Sequence, residues 1–383
     1  MQDKVKASSE KYEVSPLELI FDLAFVFALG QLSEHLLHTL NGRGMAEMIV
    51  LLIAVYNVWA YTSFQATLLH VGKTQTQWMM LIVMLLGLFM LASIHRAFGE
   101  AAWTFMTPFL VCLIGPVMLT TLTANGELFK THYARMLGWI LVSAPLWIVG
   151  SFADSNSKLI WWGIAAGIDI IGMWFAHTIP GRFLRFDNVE FDADHMIERC
   201  RLFLIIALGE IVYTTARAIS ESPISFMTLL TGICSLASIV ALWALYFGGS
   251  DHLVVHHTEE TTNPILAARL AMNGLIVTVA GIILFAVGIE LAIEHPYEEI
   301  SALMSILLFG GPILYLISQG WYLWKITGKI SYYRIIGGLS LMVAGFLSYC
   351  AKVYFSLIVV TILLVILSGL ITWSVKRKNG NRI

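Results

Sequence analysis

Charge is scarce in this chain. Asp, Glu, Lys and Arg make up 13% of its 383 residues, against about a quarter in an ordinary soluble domain. The net charge of −2 comes with no long basic stripe, which argues against nucleic-acid binding. Cysteine is rarer still: Cys112, Cys200, Cys234 and Cys350 lie in or beside apolar runs, with no CxxC pair. They read as small buried residues, so neither disulfides nor a zinc site is expected. There is no GxSxG, no HExxH and no phosphate-cradling glycine loop, so neither an enzyme nor a cofactor is expected. The polar start, MQDKVKASSEKYEVSP, lacks the apolar core and small-residue cleavage site of a signal peptide.

What fills the sequence instead is hydrocarbon. Hydrophobic residues are 58% of the chain and the mean hydropathy is +0.79. This composition points to an all-α polytopic membrane protein whose partner is the lipid bilayer. A window matched to a hydrocarbon core of about 30 Å finds twelve runs. They fall near 17–38, 46–69, 77–98, 101–123, 135–153, 158–179, 197–219, 225–247, 267–291, 300–322, 333–351 and 353–375. Of the 23 Lys and Arg, only Arg43, Arg96, Lys158, Arg217 and Lys352 fall on the side opposite the termini. By the positive-inside rule both termini are expected in the cytoplasm, with the protein multi-pass in the cytoplasmic membrane.

Short matches recur in order between the halves. ALGQ (28–31) aligns with ALGE (207–210), WAY (59–61) with WAL (243–245), LIGPVML (113–119) with FGGPILY (309–315), and YARMLG (133–138) with YYRIIG (332–337). Six spans per half make the expected repeat parallel, as in transporters whose path lies between two halves. The expected organisation is a cytoplasmic N-terminal segment (1–16), a first six-helix repeat (17–180), a linker (181–196), a second repeat (197–375) and a cytoplasmic tail (376–383).

The acids inside the spans are the candidates for function, since an ionised Asp at a helix centre costs about 2.5–3.5 kcal/mol on insertion scales. Glu18 and Asp22 are spaced i, i+4, so their charges repel unless one is protonated or a cation or Arg lies between them. A proton or cation site competes there with an interfacial Glu18 and a helix-bonding Asp22. Glu210 lies mid-span after Gly209, which would permit close backbone approach; its repeat mate is the neutral Gln31. Arg217, seven residues on, offers Glu210 a plain ion pair as the structural alternative. His95 and Glu290 lie at comparable depth and would suit a proton relay, with a wet interfacial cluster as the alternative. Asp169 is mid-span without a local cation, and is therefore neutral or bonded between helices; His177 follows two turns on.

At the cytoplasmic joint, Glu198 and Arg199 are charge-pair candidates, with Arg199 reaching acids of the other half. His195-x-x-Glu198 supplies only two ligands, and the loop DHLVVHHTEE has no fixed zinc spacing, so no metal is expected.

PLELIFDLAFVFALGQLS (16–33), HMIERCRLFLIIALGE (195–210), ALWALYF (241–247) and AVGIELAIEHP (286–296) together resemble the bacterial low-temperature requirement protein A family. The resemblance implies an integral protein of the cytoplasmic membrane, associated by name with growth in the cold, and no settled substrate. Its motif positions fall on Glu18, Asp22, Glu198, Arg199, Glu210 and Glu290. Arg201, after the Glu-Arg pair, departs from that pattern.

Two functions follow from different classes. The leading one is a secondary transporter, coupled to protons and moving an unknown small solute, with Asp22 and Glu210 facing a central path. The alternative is a non-transporting sensor or scaffold supporting growth at low temperature, its buried acids acting as helix glue. A lipid-headgroup enzyme ranks third. The sequence does not fix the solute or the oligomeric state.

Overall fold

The computed structural model describes residues 14–69, 72–123, 126–177, 191–248 and 264–380. The DHLVVHHTEE loop and most of the 181–196 linker lie outside the described residues. Among the described residues the fold has twelve helices. They are α1 Pro16–His38, α2 Gly42–Leu69, α3 Thr74–Ala92, α4 Trp103–Thr123, α5 Glu127–Phe152, α6 Ser155–Trp174 and α7 Ala193–Glu221. The remainder are α8 Phe226–Phe247, α9 Pro264–Glu294, α10 Ala302–Thr327, α11 Tyr332–Leu347 and α12 Val353–Gly380. Ten are long and apolar enough to cross a membrane. Helix α11 is too short, at 16 residues, and α6 carries a more polar first turn, Ser-Asn-Ser-Lys. Every residue from Trp103 to Thr123 or from Phe226 to Phe247 is helical because lipid offers the backbone no hydrogen bonds of its own.

Polar residues set the ends. Ser15 and Glu18 form a capping box on α1: the Glu18 N–H donates to Ser15 Oγ (3.3 Å) and the Ser15 N–H to the Glu18 carboxylate (2.9 Å). Asp154, Asp192, Ser225 and Ser301 cap α6, α7, α8 and α10. Helix α7 therefore takes in the last four residues of the expected linker, 193–196, and α12 continues as helix into the expected tail as far as Gly380.

Helix α9 is the centre of the bundle. It packs on α7, α10, α1, α8, α12, α2 and α6, and 83% of its apolar window is buried, against 39% for α3. Gly274, Gly281 and Gly288 recur every seven residues on its face toward α10. A Cβ on Gly281 would stand 2.6 Å from the Gly311 carbonyl oxygen, and one on Gly288 3.0 Å from the Leu308 nitrogen. Small residues let membrane helices approach closely in this way. Opposite them α10 forms a π turn at Ile306–Gly310, where Pro312 supplies no N–H to the Leu308 carbonyl.

In the first half α1 packs on α2 and α3, α3 on α4, α4 on α5, α5 on α6, and α2 on α6. In the second, α7 packs on α8 and α9, α9 on α10, α10 on α11, α11 on α12, and α8 on α12. The halves meet through α1 and α2 against α7 and α9. Outward-facing side chains include Phe152, Phe226, Phe346 and Leu347, more than 70% exposed, as suits contact with acyl chains.

Candidate functional site

The i, i+4 acids of α1 meet the guanidinium that the sequence placed at the mouth of α7. Arg199 Nη2 donates to Asp22 Oδ1 at 2.5 Å, and Nη1 lies 3.4 Å from Glu18 Oε1. Trp59 of α2 donates its indole N–H to Asp22 Oδ1 at 2.8 Å, and His195 Nε2 is 3.3 Å from Glu18 Oε2. Thr67 Oγ1 reaches His195 Nδ1 at 3.3 Å. Glu18, Asp22 and Arg199 are all at most 1% exposed. Two carboxylates facing one guanidinium leave one negative charge without an arginine of its own, and the His195 ring lies against Glu18 on that side. Glu18 serves twice here, as the second half of the α1 cap and as a charge partner.

Glu198 and Arg201 pair with each other at 2.9 Å on the outer side of α7, so Arg201 leaves Arg199 to the acids of α1. His195 and Glu198 turn to different partners and do not converge on a metal position. Among the described residues no group of three metal-ligating side chains assembles.

Farther along α7, Glu210 is half-buried against α1. A Cβ on Gly30 would lie 2.6 Å from Glu210 Oε1, so Gly30, and not Gly209, makes the close approach; a Cβ on Gly209 would meet open space. Among the described residues Glu210 has no hydrogen bond or ion pair. Arg217 does not pair with it, because its guanidinium bonds to Glu290 of α9. Gln31, half-buried, follows Gly30 on α1.

The expected His95–Glu290 relay is not formed, since Glu290 is taken by Arg217. His95, in the 3-10 turn Ile94–Arg96 after α3, lies 3.6 Å from Glu34 of α1. Glu34 is also an electrostatic neighbour of Arg217. Burial holds the His95 imidazole below its ordinary pKa, with Glu34 acting against it and His35 and His38 adding to it. Beside this cluster, Glu47 binds His35 at 3.1 Å and Arg43 at 2.7 Å, and Arg43 reaches Asn156 at 2.7 Å.

Asp169 stands apart from the α1–α7 contact. It is 4% exposed and accepts from the Trp147 indole at 2.9 Å, between α5 and α6. His177 does not reach it and bonds to Tyr61 of α2 at 2.8 Å. His132 of α5 and Arg269 of α9 surround that histidine, a grouping that sequence reasoning missed. The available signal was Arg269 in LAARLAMNG, a cation with no acid within a turn, which the positive-inside count had absorbed.

Three charged levels therefore lie along α7. Arg199 and Arg217 are 18 residues apart, about 27 Å at helical rise, which approaches the thickness of a hydrocarbon core. Glu210 lies between them, about 16 Å from one and 10 Å from the other. An apolar helical bundle with ion pairs at two levels and a solitary acid between them defines an integral, multi-pass membrane protein. The chain belongs to the bacterial low temperature requirement A protein (LtrA) family, whose model matches residues 13–369. It is similar to an uncharacterized protein of Rhizobium meliloti (strain 1021), 27% identical over 347 residues that cover 89% of this chain and 84% of that one. No solved structure matches it.

Proposed function

We propose that the protein is a proton-coupled secondary transporter of a small solute, working at the contact of α1 and α7. The observation that carries this reading is Glu210, a half-buried carboxylate that feels Arg217 and Glu290 but has no ion-pair partner among the described residues, set between two levels that cross-helix ion pairs close. The Arg199–Asp22–Glu18 group ties α7 to α1 at one level, and Arg217–Glu290 ties α7 to α9 at the other. Opening either side requires parting one of these groups. Protonation of Glu210 removes the charge whose transfer through a dry interior is most costly, so a proton and the exposed side are linked. Asp22 has a different role from the one its sequence suggested: bound by Arg199 and Trp59, it is part of a closure and leaves Glu210 as the proton carrier.

The two halves support a duplicated origin, because their packing orders correspond helix for helix, α1 with α7 through α6 with α12. Both begin on the same side, as a parallel repeat requires. The charge asymmetry supports a place in the cytoplasmic membrane with both termini inside.

Proteoliposomes with an imposed pH gradient and an internal pH dye test the transport reading. Wild-type protein is expected to dissipate the gradient, and Glu210→Gln to stop this while eluting as a folded monodisperse species. Absence of flux in both, with Glu210→Gln altering only thermal stability, would replace transport with the second reading, a sensor or scaffold supporting growth at low temperature. The glycine-tight α9–α10 pair favours that reading, since it suits a rigid body.

A further inference from the structure

Most cations of the described helices have a visible partner. Arg199 and Arg217 are ion-paired across helices, Arg43 and Arg201 within their own. Lys158 donates to the Gly99 carbonyl at 2.6 Å and Arg334 to the Leu245 carbonyl at 3.1 Å. Arg269 differs. It is half-buried at the start of α9, its Nε has no acceptor, and no carboxylate among the described residues pairs with it. Its charged neighbours among the described residues are basic: it acts on both His132 and His177, and His132 also feels Arg135.

The geometry around it is specific. The rings of His132 and His177 are 6.2 Å apart, and those of Tyr61 and His177 5.4 Å. His177 is 4% exposed. Its Cδ2–Nε2 edge is packed, because a Cβ on Gly172 would lie 3.1 Å from Cδ2 and the Tyr61 hydroxyl is 2.8 Å from Nε2. Nδ1 is the ring vertex opposite that edge, and it has no partner. The Tyr61–His177 contact fits either tautomer; in the one where Tyr61 O–H donates to Nε2, the ring proton sits on Nδ1, a buried donor with nothing among the described residues to receive it. One turn beyond Tyr61 on the same face of α2, Gln65 is fully buried; its Oε1 accepts from Thr120 of α4 at 3.2 Å, and its Nε2 is a second donor without an acceptor.

The chain also bends unusually to hold this imidazole. Helix α6 ends in a Schellman motif, with His177 N–H donating to the Gly172 carbonyl (2.7 Å) and Ala176 N–H to that of Met173 (3.3 Å). Glycine is the usual residue at the left-handed position, yet Ala176 and His177 both have φ 53°.

Among the described residues, a guanidinium without a counter-ion and buried donors without acceptors call for the same species, an oxygen-bearing anion. We propose that Arg269, His177 and Gln65, with His132 and Tyr61 beside them, form a binding site for an oxyanion. Its ligand is a carboxylate or phosphate group, carried by a free solute or by a lipid headgroup. The site joins α2, α5 and α6 of the first half to α9 of the second, and its existence does not depend on transport.

Full-length protein in phosphatidylcholine nanodiscs, titrated calorimetrically with inorganic phosphate and with succinate at constant ionic strength, tests it. Saturable binding is expected, weakened about tenfold or more by Arg269→Gln and by His177→Gln, the loss typical of a charge-assisted hydrogen bond. Arg201→Gln, removed from the site, is expected to leave the isotherm unchanged. If free anions give no heat but native mass spectrometry finds a bound phosphatidylglycerol that Arg269→Gln sheds, the ligand is a headgroup and the oxyanion site stands. Should Arg269→Gln fail to fold, Arg269→Lys and Gln65→Leu give the same reading, with the lysine keeping part of the affinity. Wild-type protein with neither saturable heat nor retained anionic lipid, or full affinity in the folded Arg269 and Gln65 variants, overturns the proposal. Binding without any proton flux would refute the transport reading alone.

Discussion

At the start of α7, Arg199 is wholly enclosed and faces two carboxylates, which are held in turn by the Trp59 indole of α2 and the His195 imidazole of α7 itself. Near the end of the same helix, Arg217 is a quarter exposed and shares a looser neighbourhood with Glu290, Glu34 and Glu221. Both are arginine–carboxylate contacts on one helix, yet they differ in solvent. The enclosed group has no water to replace a lost partner, so it is tied to a single arrangement. The outer group can exchange partners among nearby acids as conditions change. In the transport reading proposed above, two ends of unequal stiffness favour opening at the Arg217 end first.

The largest test of this inequality is Arg199→Gln. It leaves Asp22 and Glu18 buried without their cation, and a loss of about 3–5 kcal/mol is expected. Loss of monodisperse protein at growth temperature, or a strongly lowered melting temperature in detergent, would register it. Adding Asp22→Asn should recover part of that loss, because the two changes act on one contact. A melting temperature for Arg199→Gln equal to wild type would show that water reaches the cluster.

Arg217→Gln should cost less, about 1–3 kcal/mol: Glu290 is itself buried, but the arginine it loses is a quarter exposed and the glutamine amide can still donate to it. Raising salt from about 0.05 M to 0.5 M should narrow the gap between Arg217→Gln and wild type while leaving the Arg199→Gln gap intact. Equal salt responses would erase the distinction between the ends.

Acid should act on the outer end through His95. Its folded pKa lies below the ordinary 6.5, so on acidification the unfolded chain takes up its proton first. The contribution of His95 is therefore full above about pH 7 and declines as pH falls through the ordinary value toward the folded one. Melting curves at about pH 7.5 and 5.5 should show a slope that His95→Gln reduces. Smallest of all is Gly30→Ala, between the two ends. The added methyl meets only the tip of the Glu210 side chain, so stability should shift by less than about 1 kcal/mol. The proton flux proposed for Glu210 should change more than the melting temperature does.

The twelve helices were legible because lipid demands long unbroken apolar runs, and each run carried its own evidence. The Arg199 cluster was legible in part. The i, i+4 spacing of Glu18 and Asp22 called for a cation, and Glu198–Arg199 stood at the mouth of span 7. The Arg217–Glu290 pair was hidden, since its members are 73 positions apart and the nearer Glu210 offered a simpler partner along the helix. The Gly209 expectation failed because glycine marks where approach is permitted and cannot show which of two helices needs it; Gly30 carried the contact. His177 was opaque for a related reason: a left-handed turn built from Ala176 and His177 has no glycine to announce it.

The file of Gly274, Gly281 and Gly288 bears on how such a molecule could move. Where backbones nest so tightly, a partial slide of α10 along α9 would drive a bulky side chain into a peptide group before the next notch came into line. Only a full seven-residue step, about 10 Å, would restore the fit. These two helices are thus a fixed spine, and any rocking must be carried by the helices that lean on it.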